Sequence, residues 1–153
     1  MLQVSARLLI VSASKVVPLL CVMLFALACA NPALEHVQQG TAYREQGKFD
    51  EAIAEYTMAI EIDPDLAVAY NNRGCAYSWK KDYENAVADL SKAIELDPNE
   101  VSSYLNRALL YIANDEEDKA IVDLKKVIEL AEDPSMIQGA EQLLEMVTAG
   151  PSL

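Results

Sequence analysis

The sequence has few of the residues that build catalytic, metal or cofactor sites. Its 153 residues include one His, three Cys, five Gly and one Trp. So few Gly and Cys exclude a collagen-like chain and a small disulfide-rich protein. The sequence contains no glycine-rich phosphate loop, no metal-ligand cluster and no Ser/His/Asp set, and His36 has no catalytic partner nearby in the chain. These absences predict a protein that is not an enzyme and that needs no cofactor or metal.

Positive charge is also scarce. Lys and Arg total 12 against 24 Asp and Glu, which gives a formal net charge of −12 and a pI of about 4.4. A chain this acidic repels polyanions, whereas nucleic-acid-binding proteins carry basic patches. Nucleic acid is therefore not an expected partner. The densest acidic run, residues 115–118, is predicted to lie at a helix N-terminus, where carboxylates interact favourably with the helix dipole.

The apolar residues are concentrated at the N-terminus. Residues 1–29 contain no acid, and their only charges are Arg7 and Lys15, followed by an unbroken apolar run from 16 to 28. As a helix this run is about 20 Å long, shorter than the roughly 30 Å of a bilayer core. The pattern predicts a signal peptide over residues 1–28. An uncleaved anchor over residues 8–28 stays open, although it places Lys15 inside the membrane.

The end of this segment resembles a bacterial lipobox. Residues 25–29 read FALAC, with Ala26 where Leu is commoner. The resemblance implies cleavage after Ala28, a lipid on Cys29, a linker over residues 29–32 and tethering to a membrane of the bacterial cell envelope. Ala30 implies the outer membrane in a Gram-negative host. Because Ala26 and Ala28 also fit an ordinary Ala-x-Ala cleavage site, a secreted protein remains an alternative.

The remainder of the chain repeats every 34 residues. Tyrosine recurs at 43, 77 and 111, alanine at 52, 86 and 120, and isoleucine at 60, 94 and 128. Each unit has two apolar stripes of helical period, with Gly47 between them in the first unit. Asp63-Pro64 and Asp97-Pro98 end the second helix, because the residue before Pro avoids the α region. Each unit is therefore predicted to be a hairpin of helices about 13 residues long.

These units resemble tetratricopeptide repeats. Gly40, Gly74 and Ala108 match the family's small residue in the first helix, and the three Tyr match its aromatic position. The resemblance implies an all-α, right-handed α-solenoid with repeats over 33–66, 67–100 and 101–134. Residues 135–149 form an apolar-faced segment that predicts a capping helix, with Ser135 as its N-cap. Because Pro134 comes two residues late, we expect the last repeat to end in a lengthened helix.

The resemblance also implies a concave groove lined by the first helix of each unit. Its register includes Arg44, Ser78 and Ala113, and the residues that we expect to contact a partner are Asn71, Asn72, Cys75, Trp79, Leu105, Asn106, Leu109 and Ile112. Trp is enriched in binding hot spots, and Asn can bond a partner's backbone. The alternatives are that Trp79 packs on the hairpin turn and that the leucine patch packs on the capping helix.

The sequence argues against one known ligand of the family. Cytosolic chaperone adaptors hold a peptide's terminal carboxylate with Lys, Asn and Arg. The matching positions here are Val37, Thr41, Asn72, Ser102 and Asn106. Only the Asn at 72 is retained and none of the five is a cation, so a receptor for chaperone tails is not expected.

Two arginines stand 16 residues before an aspartate. Arg73 precedes Asp89, and Arg107 precedes Asp123. The repetition predicts structural ion pairs that tie helices together, although desolvation can cancel much of their attraction.

The sequence as a whole predicts a membrane-tethered, non-catalytic adaptor. Its expected partner is a segment or helix of another protein, bound in the groove, and no small-molecule substrate is expected. The alternative is a structural, self-assembling component of an envelope complex that binds no peptide.

Overall fold

The structure is a computed structural model that describes residues 31–149. Within that range the chain forms seven α-helices and no strand, and residues 33–149 belong to one compact unit. The predicted all-α repeat fold is confirmed. The predicted signal peptide and Cys29 lie outside the described residues. The helices are α1 (Pro32–Glu45), α2 (Phe49–Ile62), α3 (Ala67–Trp79), α4 (Tyr83–Leu96), α5 (Val101–Ala113), α6 (Glu117–Leu130) and α7 (Pro134–Ala149).

A three-residue turn joins the two helices of each hairpin. Its middle residue is left-handed in every case: φ is 73° at Gly47, 62° at Lys81 and 58° at Asp115. This conformation ends the first helix in a Schellman-type motif. The amide that follows the left-handed residue donates to the carbonyl of a repeated tyrosine, namely Tyr43, Tyr77 or Tyr111. The turn therefore repeats in geometry although only the first one uses glycine.

Small residues let the two helices of a hairpin approach closely. A Cβ on Gly40 would lie 2.6 Å from the ring of Tyr56, and one on Gly74 would lie 2.9 Å from Leu90. Tyr56 is fully buried, which raises the pKa of its hydroxyl. From α2 onward each helix packs on the next along the chain, and α3 also contacts α5. The first helices of the second and third hairpins, α3 and α5, therefore lie side by side.

The expected arginine–aspartate pairs join three helices each. Arg73 donates to both carboxylate oxygens of Asp89 at 2.7 and 2.8 Å, and its third bond reaches the Thr57 hydroxyl at 3.0 Å. The bonds to Asp89 raise the pKa of the Arg73 guanidinium. Arg107 repeats the pattern with Asp123 and with Ser91, at 2.8, 2.8 and 2.9 Å. Each arginine thus ties its own hairpin to the second helix of the preceding one.

The first hairpin uses a different pair. Glu55 occupies the slot of Asp89 and Asp123, but its partner is His36, with Nδ1 and Oε2 2.7 Å apart. Gln39, in the slot of the two arginines, is exposed. The single histidine therefore has a structural contact inside the first hairpin.

The C-terminal end differs from two expectations. Helix α6 is not lengthened: it has 14 residues, like α2 and α4, because Ala131 adopts the extended conformation that Asp63 and Asp97 adopt after those helices. Three residues, 131–133, connect α6 to α7, one fewer than the four that follow α2 and α4. Helix α7 begins at Pro134, and Asp133 is the residue that caps it, since its carboxylate accepts from the amide of Ser135 at 3.0 Å.

Helix α7 completes an apolar cluster. Tyr104, Ala108, Leu124, Val127 and Ala140 are buried together, and partly buried leucines of α7 pack against them. Because the last repeat of a solenoid exposes an apolar face, such a covering helix is needed for solubility.

Candidate partner-binding groove

A cavity of about 440 Å³ opens on the face shared by α3 and α5. We call it the seam cavity, since it lies where the second and third hairpins meet. Its wall includes four of the residues predicted to contact a partner: Cys75, Trp79, Asn106 and Leu109. The remaining lining residues are Ser78, Lys81, Tyr83, Leu90, Leu110 and Ala113.

The polar side of the seam cavity is organised by Asn106. Its amide nitrogen lies 3.0 Å from Oδ1 of Asn71 and 3.2 Å from the Cys75 sulfur. Asn71 is only 7% exposed, and its own amide lies 3.5 Å from the Ser102 hydroxyl. Asn71 therefore holds α3 and α5 together rather than presenting a free amide, whereas Asn106 reaches the cavity.

Cys75 is a protonated thiol in this setting. Burial raises the pKa of the thiol, and the nearby Arg44 opposes that rise. A thiolate is the reactive form of cysteine, so a raised pKa makes the side chain inert at neutral pH. Cys75 thus contributes a small, weakly polar surface to the cavity.

Trp79 forms the outer wall of the cavity. Its ring stacks on Phe49 with the two planes 4° apart and the centroids separated by 5.9 Å. An ion pair between Lys80 and Asp50 joins the same two hairpins beside the stack. Trp79 is nevertheless 70% exposed. The stack fixes the ring in place and leaves most of its surface available for contact.

The predicted leucine patch divides into two parts. Leu105 and Ile112 pack against the C-terminal cluster, together with leucines of α7, as one of the two alternatives anticipated. Leu109 lines the seam cavity and is 44% exposed. Only Leu109 of this patch is therefore placed to contact a ligand in the cavity.

Asn72 lies outside the seam cavity. It is half-buried on α3 and makes no side-chain hydrogen bond within residues 31–149. Both its amide and its carbonyl are consequently available to a backbone that crosses the groove face.

Sequence reasoning did not place Lys81 and Tyr83 in the site. Lys81 lies in the turn between α3 and α4, and Tyr83 is the first residue of α4. Both are therefore outside the first helices that define the groove register. The sequence does contain one signal: Lys81 is 34 residues after Gly47 and therefore occupies the equivalent position of the second repeat. A non-glycine residue at a left-handed position is uncommon and costs about 1–2 kcal/mol.

The acidic residues outside the seam cavity do not form a metal site in the part of the chain that the structure describes. Among the described residues, no three His, Cys, Asp or Glu side chains are arranged to hold a metal ion. The acidic residues 115–118 line a separate hollow of about 310 Å³, where Lys119 pairs with Glu116. No helix in the described part of the chain is both long and apolar enough to cross a bilayer.

Family models match the chain along its repeats. One model described as "TPR repeat" matches residues 40–78, and two described as "Tetratricopeptide repeat" match residues 67–100 and 90–122. The chain carries tetratricopeptide repeats. This confirms the resemblance drawn from the 34-residue period. No curated protein sequence matches the chain.

Solved tetratricopeptide-repeat domains have the same fold. The chain is similar to the TPR2B domain of yeast Sti1 in a complex named for pHsp70, with 29% identity, a TM-score of 0.73, and 77% of this chain and 97% of that one covered. It is similar to the first TPR of Spaghetti (RPAP3) bound to the HSP90 peptide SRMEEVD, with 29% identity, a TM-score of 0.67, and coverage of 75% and 94%. It is also similar to the first TPR domain of human RPAP3, with 28% identity, a TM-score of 0.67, and 78% of this chain and 97% of that one covered.

Proposed function

We propose that this chain is a membrane-tethered, non-catalytic adaptor that binds a segment of another protein on its groove face. One of the similar domains is described as bound to an HSP90 peptide and another as a complex with pHsp70, which supports a protein-binding role here. The observation that carries the proposal is the seam cavity, because two large apolar side chains, Trp79 and Leu109, remain exposed on its wall. Exposed apolar residues gathered in a concave site mark binding surfaces.

The partner segment is not a chaperone tail. The five positions that hold a terminal carboxylate in chaperone adaptors contain no cation in this chain. Thr41 is bonded to the Val37 carbonyl at 2.9 Å, and the Ser102 hydroxyl donates to the carboxylate of Glu100. A terminal carboxylate at this place would meet Glu100, and none of the five positions supplies a compensating positive charge.

A pull-down from native membranes tests the groove. We compare the wild type with Asn72→Ala combined with Leu109→Ala, and with Val122→Ala as a matched control. Val122 is 66% exposed on α6 and does not line the seam cavity. The groove variant should lose a specific partner that the wild type and the control both capture. Equal capture by all three proteins contradicts the assignment.

Measuring the oligomeric state of the same proteins tests the alternative that the chain is a self-assembling structural component. A monomer whose size does not change with concentration agrees with an adaptor. Concentration-dependent assembly that Leu109→Ala abolishes would instead favour a structural component that binds its own copies.

The membrane tether is tested at Cys29. We expect mass spectrometry of the mature protein to find an acylated Cys29 at its N-terminus. Cys29→Ser should leave the precursor unprocessed, while Cys21→Ser, in the segment predicted to be removed, should keep the lipid. An unmodified mature N-terminus in the wild type contradicts the tether.

A further inference from the structure

The charge in the seam cavity is opposite to that of the whole protein. The formal net charge of the chain is −12, but Lys81 is the only ionised residue among the ten that line the cavity. The Lys81 ammonium has no ion-pair partner in residues 31–149, whereas the adjacent Lys80 is paired with Asp50. A cation without an ion-pair partner therefore lies beside the apolar wall of this cavity, although the chain as a whole is acidic.

Lys81 occupies a backbone position that does not favour lysine. Its φ is 62°, and the same slot holds Gly47 in the first hairpin, where φ is 73°. Glycine adopts this conformation without the steric cost that other residues carry. Residues held in disfavoured backbone conformations concentrate at binding and active sites. The third hairpin holds Asp115 in this slot at φ 58°, so the backbone conformation recurs, and what distinguishes Lys81 is that it lines the seam cavity.

The remaining wall is apolar and aromatic. Trp79, Tyr83 and Leu109 come from three different parts of the fold, and they converge with Lys81 on a volume of about 440 Å³. That volume lies within the range of about 300–1,000 Å³ found for small-ligand pockets. It accommodates one large side chain of a bound segment together with a neighbouring group.

We propose that the seam cavity selects a protein segment in which a large apolar side chain stands within two residues of an aspartate or glutamate. The apolar side chain contacts Trp79 and Leu109, and the carboxylate pairs with Lys81. This inference rests on the proposed function, since it specifies the chemistry of the segment bound on the groove face. Charge complementarity selects the occupant, because the rest of this acidic protein repels acidic peptides.

A phage-displayed library of random twelve-residue peptides tests the proposal. The full chain, purified in detergent, is used for selection as the wild type and as three variants. Lys81→Gly removes the cation and relieves the backbone, so it should fold at least as stably as the wild type. Lys81→Glu reverses the charge. Lys125→Glu makes the same reversal at an exposed residue of α6 that does not line the cavity.

We expect peptides selected on the wild type to be enriched in an acid next to a large apolar residue. Their affinity for Lys81→Gly should fall about fivefold, the upper end for an exposed ion pair, and further for Lys81→Glu. Selection on Lys81→Glu should replace the acid by Lys or Arg. Lys125→Glu should bind the wild-type peptides unchanged.

The experiment distinguishes a failure of the proposed acid preference from a failure of the groove assignment. Peptides that lose affinity for Leu109→Ala but bind Lys81→Gly and the wild type equally would overturn the acid preference and leave groove binding intact. Selected peptides that bind Leu109→Ala as tightly as the wild type would contradict the groove assignment itself, and with it this inference.

Discussion

Gly74 lies where α3 crosses α4 at close range. A Cβ there would meet Leu90 Cγ at 2.9 Å and the backbone oxygen of Ala86 at 3.1 Å. The backbone atom cannot move without shifting the helix. Glycine is therefore required at this position for packing, although alanine is the better helix former by about 1 kcal/mol.

We predict that Gly74→Ala lowers the free energy of unfolding by about 1–3 kcal/mol, the cost of overpacking a core. Gly139→Ala is the matched control, because a Cβ at Gly139 of α7 meets nothing within 4 Å. It should raise stability by up to about 1 kcal/mol. Urea titrations followed by circular dichroism measure both values. Stabilisation by both substitutions would show that α3 and α4 are not in close contact.

The ion pairs give a second contrast between buried and exposed residues. The Asp123 side chain is 3% exposed and accepts two bonds from Arg107, whereas Lys126 pairs with Glu129 at the surface. Asp123→Ala should cost about 3 kcal/mol or more, because it leaves a half-buried guanidinium unpaired. Lys126→Ala should cost at most about 1 kcal/mol. Similar losses in urea denaturation would mean that the Arg107–Asp123 pair does not join the helices.

At the scale of one element, α7 depends on the cap at its first turn. The amide and hydroxyl of Ser135 donate to Asp133, and these bonds lower the pKa of the Asp133 carboxyl. The charged carboxylate is therefore the form that stabilises the helix. This contribution is present above the unfolded-state pKa of about 3.9 and is lost as the pH falls through the lower folded-state pKa.

We predict that Asp133→Ala lowers the melting temperature at pH 7 and that this difference shrinks in acid. An NMR titration of the Ser135 amide should have its midpoint below the ordinary aspartate value. Glu132→Ala removes a neighbouring exposed carboxylate and should change neither result. A midpoint at or above the ordinary value would contradict the capping geometry.

The elements also show how far the sequence alone determines the fold. The 34-residue period and the small residues at 40, 74 and 108 predicted the helical hairpins, because packing fixes residue size at those positions. The end of α6 was missed, since Ala131 ends that helix without a following proline. Lys81 was missed because it lies outside the helical register, and its match to the position of Gly47 indicates the turn but not that the side chain lines a cavity.

The division of the leucine patch has a similar physical reason. Leu105, Leu109 and Ile112 share a register on α5, and sequence spacing cannot tell which of them the last helix covers. The packing of α7 decides this, because it adds leucines to the cluster that contains Leu105 and Ile112. Candidate groove residues can thus be predicted as a set, while their exposure depends on the neighbouring helix.

At the scale of the whole molecule, a chain with a formal net charge of −12 has a seam cavity lined by an exposed indole, an exposed leucine and one cation. The central claim is that a segment of another protein binds in this cavity. Leu109, in the cavity, and Val122, outside it, are both exposed aliphatic side chains and can be compared directly.

The most direct measurement is site-specific photo-crosslinking in native membranes, with a photoreactive amino acid in place of Leu109 or of Val122. The account predicts a discrete crosslinked product from position 109 that is absent from position 122. The same product from both positions, or a product from position 122 alone, would contradict it.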